Sequence, residues 1–272
     1  MMSDPNNIDL SLMNGKKGVI MGVANDHSIA WGIAQSLSAA GAELAFSYQS
    51  ETLKKRVEPL AKMLGSDLIY PCDVESSEDI EIFFNSIQNK WDSIDFLVHA
   101  IAFSDKNELK GPYYNTTKEN FIQTMLISCF SFTEVVKEAQ KIMNNAGSII
   151  TLTFDGANRV MPNYNVMGIA KAGLESSVRY LAADFGARGI RVNAISAGPM
   201  RTLAGGGIAD ARAMFNFQKT HSPLQKTVTL SDIGGSAIYL LSDLSAGVTG
   251  EVHYVDSGYN IISTPRPEML QD

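Results

Sequence analysis

Seven short apolar runs, separated by segments of helical periodicity, constrain the fold of this 272-residue chain more than any other feature. Strands that alternate with helices form βαβ units, and such units build a parallel sheet. The pattern therefore predicts an α/β fold, a doubly wound Rossmann-type parallel sheet with helices on both faces. The runs are GVIMG (18–22), ELAFSY (43–48), DLIYPC (67–72), DFLVHA (95–100), SIITLT (148–153), IRVNAIS (190–196) and EVHYV (251–255).

The segments between the runs predict helices and a single domain over residues 1–272. Helical patterns cover 30–41, 77–91, 117–143 and 165–186, and no repeat or Pro/Gly/Ser linker divides the chain. Residues 200–222 begin with small residues and three glycines and continue as a short helix, which predicts a substrate-binding loop. The last residues, about 263–272, contain two prolines and predict a flexible tail or a lid.

Charge and hydropathy exclude several classes of function. The formal net charge of -7 argues against general nucleic-acid binding. No run approaches the roughly 18 consecutive apolar residues of a membrane span, and the first residues lack the pattern of a signal peptide. Cys72 and Cys129 have no CxxC spacing, which predicts reduced core residues. These features together predict a cytoplasmic protein.

Histidines and motifs give no sign of a metal site or of hydrolytic chemistry. The four histidines lack metal-ligand spacing and are interpreted as structural, so no metal is expected. The chain has no P-loop and no G-x-S-x-G sequence. The histidines are His27, His99, His221 and His253.

The segment GVANDHSIAWGIA (22–34) follows the first run and resembles a nucleotide-binding turn only loosely. Gly22 and Gly32 suit a tight turn and close helix packing, while Ser28 and backbone N–H groups at a helix start can hold a pyrophosphate. The spacing departs from the usual dinucleotide fingerprint. An alternative remains that these glycines only punctuate a strand-to-helix turn.

Later strand ends carry further candidates for a dinucleotide site. The second run ends at Gln49, which can bond ribose hydroxyls, and no arginine there could receive a 2'-phosphate, so NADH is favoured over NADPH. Asp73, after the third run, can accept a bond from an adenine amino group, and HAIAFS (99–104) can let backbone approach a nicotinamide. Either segment is also compatible with ordinary strand-end packing.

Tyr164 and Lys171 form the candidate chemical centre. At i and i+7 of a helix they lie on nearly one face, roughly 10 Å apart along the axis. Lys171 can hold ribose hydroxyls and is expected to lower the phenol pKa of Tyr164 from its usual value of about 10. Tyr164 can then donate to an oxyanion. The alternative is a helix start with a surface lysine.

These segments resemble the enoyl-acyl-carrier-protein reductases, a divergent NADH-using branch of the short-chain dehydrogenase/reductase superfamily. Ordinary members carry Tyr-x3-Lys, whereas Gly168 stands four residues after Tyr164 here and the Tyr-x6-Lys spacing marks the enoyl reductases. The matching segments span nearly the whole chain. They are GVANDHSIAWGIA, ELAFSYQ, CDV, HAIAFS, PNYNVMGIAKAGLE, IRVNAISAGPMRTLA and DLSAGVTGEVHYVDSGY.

The resemblance implies an activity, a cofactor and a set of site residues. The activity is NADH-dependent reduction of the trans-2 double bond of enoyl-acyl-carrier-protein thioesters, the last step of each fatty-acid elongation cycle. Hydride adds to the β-carbon, Tyr164 stabilises the resulting enolate oxygen before the α-carbon is protonated, and Lys171 holds the ribose. The implied NADH contacts are Gly22, Ser28, Ile29, Gln49, Asp73, Val74, Ile101, Lys171, Met200, Arg201, Thr202, Leu203 and Ala204. The implied acyl pocket comprises Ser104, Phe154, Tyr164, Met167, Ala204 and Ile208.

Phe154 is a departure from many bacterial members, which have a second tyrosine ten residues before the first. A phenyl ring cannot donate a hydrogen bond, so no hydroxyl assists Tyr164 from this position. The related mycobacterial long-chain reductases also have Phe here, so loss of activity does not follow. Two other readings stay open: a carbonyl or alcohol dehydrogenase on the same scaffold, and a non-catalytic NAD(H)-binding regulator.

Two kinds of partner are expected. The apolar 120–136 segment, with Phe121, Met125, Phe130 and Phe132, favours a core helix on general grounds, while the resemblance implies a homotetramer in which long helices pack between subunits. An acidic acyl carrier protein needs a local basic patch. The candidates for it are Arg201, Arg212, Lys219 and Lys226.

Overall fold

The computed structural model describes residues 11–200 and 211–264, with all their side chains except those of 211–214. Within these residues, seven strands form one sheet in the order β3-β2-β1-β4-β5-β6-β7, and each neighbouring pair is parallel. This order confirms the doubly wound prediction. The strands are β1 (Lys17–Met21), β2 (Glu43–Tyr48), β3 (Ile69–Pro71), β4 (Ile94–His99), β5 (Met143–Thr153), β6 (Arg191–Ala197) and β7 (Val252–Val255).

Helices cover both faces of the sheet and enclose a separate core on each. Strand side chains alternate between the two cores: Val19 and Met21 point to one and Ile20 to the other. The first core contains residues of α3, α5 and α6, and the second contains residues of α1, α2 and α8. The helices are α1 (Ile29–Ala39), α2 (Glu51–Met63), α3 (Ser77–Gln88), α4 (Lys118–Met125), α5 (Ser131–Ala139), α6 (Asn165–Phe185), α7 (Ala211–His221) and α8 (Leu230–Leu241).

The predicted long helix over 117–143 is interrupted. A π-helical turn, Leu126–Phe130, separates α4 from α5, and such turns place an extra residue into a helix. Phe132 is fully buried, but Phe121 is 37% and Phe130 is 51% exposed, so the expectation of a core position is wrong for these two. The extra residue in the π-turn shifts the helical register, and this shift is invisible to a 3.6-residue pattern.

Two strand boundaries also differ from the sequence prediction. β5 begins at Met143 instead of residue 148, because Met143 pairs with Ile94 ahead of an irregularity in the β4–β5 ladder. Ala146 in this irregular stretch has φ 60, a left-handed conformation that a simple strand pattern does not anticipate. β3 is only Ile69–Pro71, at the edge of the sheet.

None of the helices described combines the length and apolar character needed to cross a bilayer.

Candidate active site

Tyr164 lies at the start of α6, beside the carboxyl end of β5. It is the residue before the first helical position, Asn165, and only 8% of it is exposed. Its ring meets Phe154 edge to face, with ring centroids 5.1 Å apart. On another side the ring packs on Gly156, where an added Cβ would lie 2.4 Å from Tyr164 Cδ1. These two contacts fix the direction of the phenol, and the role of Gly156 was missed by the sequence reasoning.

Lys171 is a buried residue of α6, so the alternative of a surface lysine is wrong. It is 5% exposed, and its Nζ donates a hydrogen bond to the backbone oxygen of Leu152 at 2.8 Å. Burial lowers the pKa of Lys171 to about 8, although the nearby Cys129 and Glu175 act in the opposite direction. The ammonium has three N–H donors, and Leu152 accepts only one hydrogen bond, so donors remain for a ligand.

The sequence argument expected Lys171 to lower the pKa of Tyr164, and the structure contradicts this. Burial, followed by the charge of Glu175, raises the pKa of Tyr164 well above its ordinary value. Desolvation of the buried phenol is the larger cause, and no lowering by Lys171 opposes it. Tyr164 is therefore a neutral phenol across physiological pH, and it acts as a hydrogen-bond donor.

Glu175, one turn after Lys171, is a second buried charge that the sequence reasoning did not find. Its Oε1 accepts a 2.7 Å hydrogen bond from Thr153 Oγ1, and its Oε2 lies 3.4 Å from Asn158 Nδ2. The same amide nitrogen lies 3.1 Å from the hydroxyl of Tyr254 on β7. The sequence did contain a signal for Glu175: an acidic residue stands four residues after a lysine on a helix face that is otherwise apolar.

The turn after β1 brings the backbone of Gly22 close to the end of β4. Gly22 has φ 100, and an added Cβ would lie 2.1 Å from the backbone oxygen of Ala100, at the end of β4. Only glycine fits where the backbones after β1 and β4 approach so closely. This packing alone accounts for a glycine at the turn, so the alternative of a structural glycine stays open beside a nucleotide-binding role, which the position between β1 and β4, where the strand order reverses, favours.

The amino end of α1 fits an anion. Ser28 precedes the helix, and its hydroxyl accepts hydrogen bonds from the N–H groups of Ala24 at 3.0 Å and Asn25 at 3.1 Å. The hydroxyl thus shapes the turn instead of capping the helix, and the first turn of α1 contains no acidic residue. The N–H groups and positive end of α1 face the loop, as a pyrophosphate requires. Ile29, the first residue of α1, is half-buried against the core.

Gln49 and Asp73 are brought together at the ends of β2 and β3. Gln49 Nε2 donates to Asp73 Oδ2 at 2.9 Å, and Asp73 Oδ1 accepts from the N–H of Glu75. Gln49 is exposed, so a ligand can reach the pair. The neighbouring Val74 is buried in the core, which leaves its backbone as the group available to a nucleotide.

The structure describes only part of the remaining residues predicted for the acyl pocket and for the NADH contacts. Ser104 is engaged by α4: its hydroxyl donates to Asn120 Oδ1 at 3.3 Å and accepts from Thr124 Oγ1 at 2.9 Å. Met167 is buried near Tyr164 on α6, and Ile101 and Met200 are half-buried beside the two cores. Five of the predicted residues lie outside the described residues: Arg201, Thr202, Leu203, Ala204 and Ile208.

His99, at the end of β4, is structural as the sequence indicated. Its ring nitrogens lie 3.1 Å from Thr151 Oγ1 and 3.0 Å from Ser131 Oγ, inside the protein. Burial, with a smaller contribution from Lys171, lowers the pKa of His99 to about 3, so the ring is neutral. Within 11–200 and 211–264, no group of three or more His, Cys, Asp or Glu side chains is arranged to hold a metal ion.

A parallel sheet in this order, a glycine turn at its switch point and a buried Tyr–Lys pair define a dinucleotide-dependent oxidoreductase of the short-chain dehydrogenase/reductase class. Comparison with known proteins is more specific. The model of the family described as Enoyl-(Acyl carrier protein) reductase matches residues 22–260. The chain belongs to this enoyl-(acyl carrier protein) reductase family.

Individual relatives agree with the family assignment over nearly the whole chain. "Enoyl-[acyl-carrier-protein] reductase [NADH] 2" of Rhizobium meliloti (strain 1021) is 65% identical over 260 residues, 96% of this chain and 97% of that protein. A crystal structure of FabI from Candidatus Liberibacter asiaticus is 59% identical, with a TM-score of 0.92 over 94% of this chain and 99% of that one. The reductase of Anaplasma phagocytophilum, solved in complex with NAD, is 53% identical, with a TM-score of 0.90 over 94% and 96%.

Proposed function

We propose that this chain is an NADH-dependent enoyl-[acyl-carrier-protein] reductase that reduces the trans-2 double bond of enoyl thioesters, the last step of each fatty-acid elongation cycle. The observation that carries the proposal is the burial of Tyr164 and Lys171 together at the carboxyl end of β5. Family membership fixes the reaction class, and these two side chains supply the groups that the reaction needs.

Tyr164 is assigned to the thioester carbonyl. NADH, when bound, supplies the hydride that adds to the β-carbon, and negative charge then develops on the thioester oxygen. A neutral phenol, held by Phe154 and Gly156, donates a hydrogen bond to that oxygen without first losing its proton. Its raised pKa is an advantage in this role, because the donor form persists at all physiological pH values.

Lys171 is assigned to the ribose hydroxyls of the nicotinamide nucleotide. Its ammonium is anchored by the oxygen of Leu152, so its remaining N–H groups have a fixed direction. The adenosine half is assigned to the Gly22 turn, the start of α1 and the Gln49–Asp73 pair. The Asp73 carboxylate beside Gln49 would repel a 2'-phosphate, which supports NADH over NADPH.

Several features support the predicted assembly and setting. The exposed Phe121 and Phe130, with Tyr180 on α6, give the helices apolar surface for a homotetramer. Two basic residues, Lys219 and Lys226, are exposed near α7, where an acidic acyl carrier protein could dock, although Lys226 also pairs with Asp232 at 3.2 Å. Of the other predicted docking residues, Arg201 lies outside the described residues and nothing is described of the side chain of Arg212.

The proposal also includes a single domain over 1–272 and a cytoplasmic location. All described strands belong to one sheet, which supports one domain. Cys72 and Cys129 are both unpaired and buried, as suits a reducing compartment. The substrate loop about 200–222 and the tail about 263–272 remain predictions, because 201–210 and 265–272 lie outside the described residues.

The test follows NADH absorbance with a trans-2-enoyl thioester for the native chain, Tyr164→Phe and Lys171→Ala. We expect native turnover and a loss of about 100-fold or more for Lys171→Ala. Lys90→Ala is the matched control, since Lys90 is an exposed lysine two residues after the end of α3 and its loss should leave turnover unchanged.

Native enzyme that turns over no enoyl thioester with either NADH or NADPH would contradict the proposal. Reduction of a ketone in its place would point to a carbonyl dehydrogenase, and tight NADH binding without any turnover would point to a regulator.

A further inference from the structure

Glu175 is a buried carboxylate that the proposed reaction does not use. It is 6% exposed, and a charge in such a position is costly unless hydrogen bonds and an opposite charge compensate it. Thr153 supplies a short hydrogen bond at 2.7 Å, and Asn158 supplies a longer one at 3.4 Å. No direct ion pair of Glu175 with Lys or Arg is found within 11–200 and 211–264.

Two side chains from one turn of α6 form hydrogen bonds with two successive residues at the end of β5. Lys171 Nζ bonds the backbone oxygen of Leu152, and Glu175 Oε1 bonds the side chain of Thr153. Residues four apart lie on one face of a helix, so the two attachments act as a pair. Phe154, which supports the Tyr164 ring, is the next residue in the chain.

The charges around Lys171 make Glu175 its electrostatic partner. The π-turn between α4 and α5 contributes the thiol of Cys129, whose pKa burial raises, and β4 contributes His99, whose ring is neutral. Tyr164 is also uncharged. The hydroxyl of Tyr254, from β7, accepts from the same Asn158 amide that donates to Glu175, and burial raises the pKa of Tyr254. Glu175 is the carboxylic acid among these groups; it lies one helical turn from Lys171, and it acts to raise the pKa of Lys171.

We propose that Glu175 is a positioning residue of the active site, which holds α6 against Thr153 and keeps Lys171 in its charged, donating form. This role rests on the proposed function in one respect only, namely that Lys171 binds the nucleotide. Glu175 itself touches neither cofactor nor substrate. Its effect is exerted through the Lys171 ammonium.

The experiment measures the Lys171 charge directly and then its consequence. The chain is labelled with ¹³C at the lysine side chains, and the Lys171 resonance is identified by its loss in Lys171→Ala. Its titration is followed in native protein and in Glu175→Gln, which keeps the shape and the oxygen that accepts from Thr153. We expect the Lys171 titration to move to lower pH by roughly one unit in Glu175→Gln.

The consequence is measured as NADH affinity against pH, from the fluorescence of the bound nucleotide. Affinity is expected to fall as pH rises through the Lys171 titration, and this fall should begin at lower pH in Glu175→Gln. Glu175→Asp keeps the charge and should restore the native pH midpoint, even if affinity drops because its reach is shorter. Asp184→Asn, an exposed carboxylate on the same helix, is the control and should change neither measurement.

Two results would overturn the inference. One is an unchanged Lys171 titration in folded Glu175→Gln, and the other is an equal shift in Glu175→Gln and Glu175→Asp, which would exclude the charge as the cause. If Glu175→Gln fails to fold, Glu175→Asp is compared with the native protein instead. Because aspartate keeps the charge, a Lys171 titration midpoint that moves by about one pH unit in Glu175→Asp would count against the role. The ¹³C titration needs no nucleotide, so failure of the proposed enzyme activity would remain distinguishable.

Discussion

A Cβ placed on Gly168 would lie 2.7 Å from the backbone oxygen of Gly156. The first turn of α6 and the short turn after β5 are thus in direct backbone contact, and this contact brings Gly156 under the ring of Tyr164. A side chain at residue 168 is incompatible with this backbone. Ordinary short-chain dehydrogenases carry a lysine four residues after the tyrosine, and such a side chain has no room here at residue 168. The lysine of this site is instead Lys171, three residues further along the helix.

Gly168→Ala should therefore reduce both stability and activity. The methyl group must push the Gly156 turn away, which we expect to cost about 1–3 kcal/mol of unfolding free energy and to misplace Tyr164. Thermal or denaturant unfolding and NADH oxidation check the two effects. Gly235→Ala is the matched control, because Gly235 is a helical glycine of α8 with open space around it. That change should stabilise by up to about 1 kcal/mol.

Phe154→Tyr tests whether the aromatic edge or a hydroxyl is what Tyr164 needs from this position. The phenyl edge already holds the Tyr164 ring, so we expect Phe154→Tyr to keep kcat within about threefold of native. Phe154→Ala removes that support and should lower kcat and stability together, the latter by roughly 2 kcal/mol for a half-buried ring. A Phe154→Ala enzyme with native kcat would show that the ring contact has no part in orienting Tyr164.

The fold was largely predictable because a doubly wound sheet has a strong sequence signal. All seven predicted apolar runs overlap strands, and the five inner strands are mostly buried on both faces, which makes them nearly continuously apolar. The exceptions depend on tertiary structure. The extra strand residues from Met143 require a register shift against β4, and the π-turn at Leu126–Phe130 changes helical phase without changing composition.

The sequence predicted Tyr164 and Lys171 on one helix but not the electrostatics around them. Tyr164 and Lys171 were singled out by their spacing together with the family resemblance, yet their burial, which dominates both pKa shifts, depends on elements distant in sequence. Gly156 was missed because its function is to leave space for a ring eight residues later. Glu175 was missed because a carboxylate on a helix is ordinarily exposed, and only Thr153 and Asn158 show that this one is not.

Ser128, in the π-turn, should control the loop that follows β4. Its hydroxyl donates to the backbone oxygen of Phe103 at 2.8 Å and accepts from the N–H of the same residue at 2.9 Å. Ser128→Ala leaves both backbone groups unpaired, which should cost about 1–3 kcal/mol and weaken NADH binding as the 100–104 loop loosens. Calorimetry of NADH binding checks this. Ser86→Ala, which loses one intrahelical bond on α3, should change affinity little.

His99 should make the protein sensitive to acid. Its pKa in the folded protein is about 3, below the ordinary value of about 6.5, so the unfolded chain takes up this proton first as pH falls. The contribution of His99 to stability is constant above pH 6.5 and falls by roughly 1.4 kcal/mol per pH unit below it, until the pH nears 3. Denaturant unfolding between pH 7 and 4 measures this slope. His99→Gln should reduce the slope by the contribution of about one bound proton. His27→Gln, which replaces an exposed histidine, is the control for loss of an imidazole; equal slopes for the native and His99→Gln proteins would show that His99 binds its proton equally in the folded and unfolded states, which contradicts the prediction.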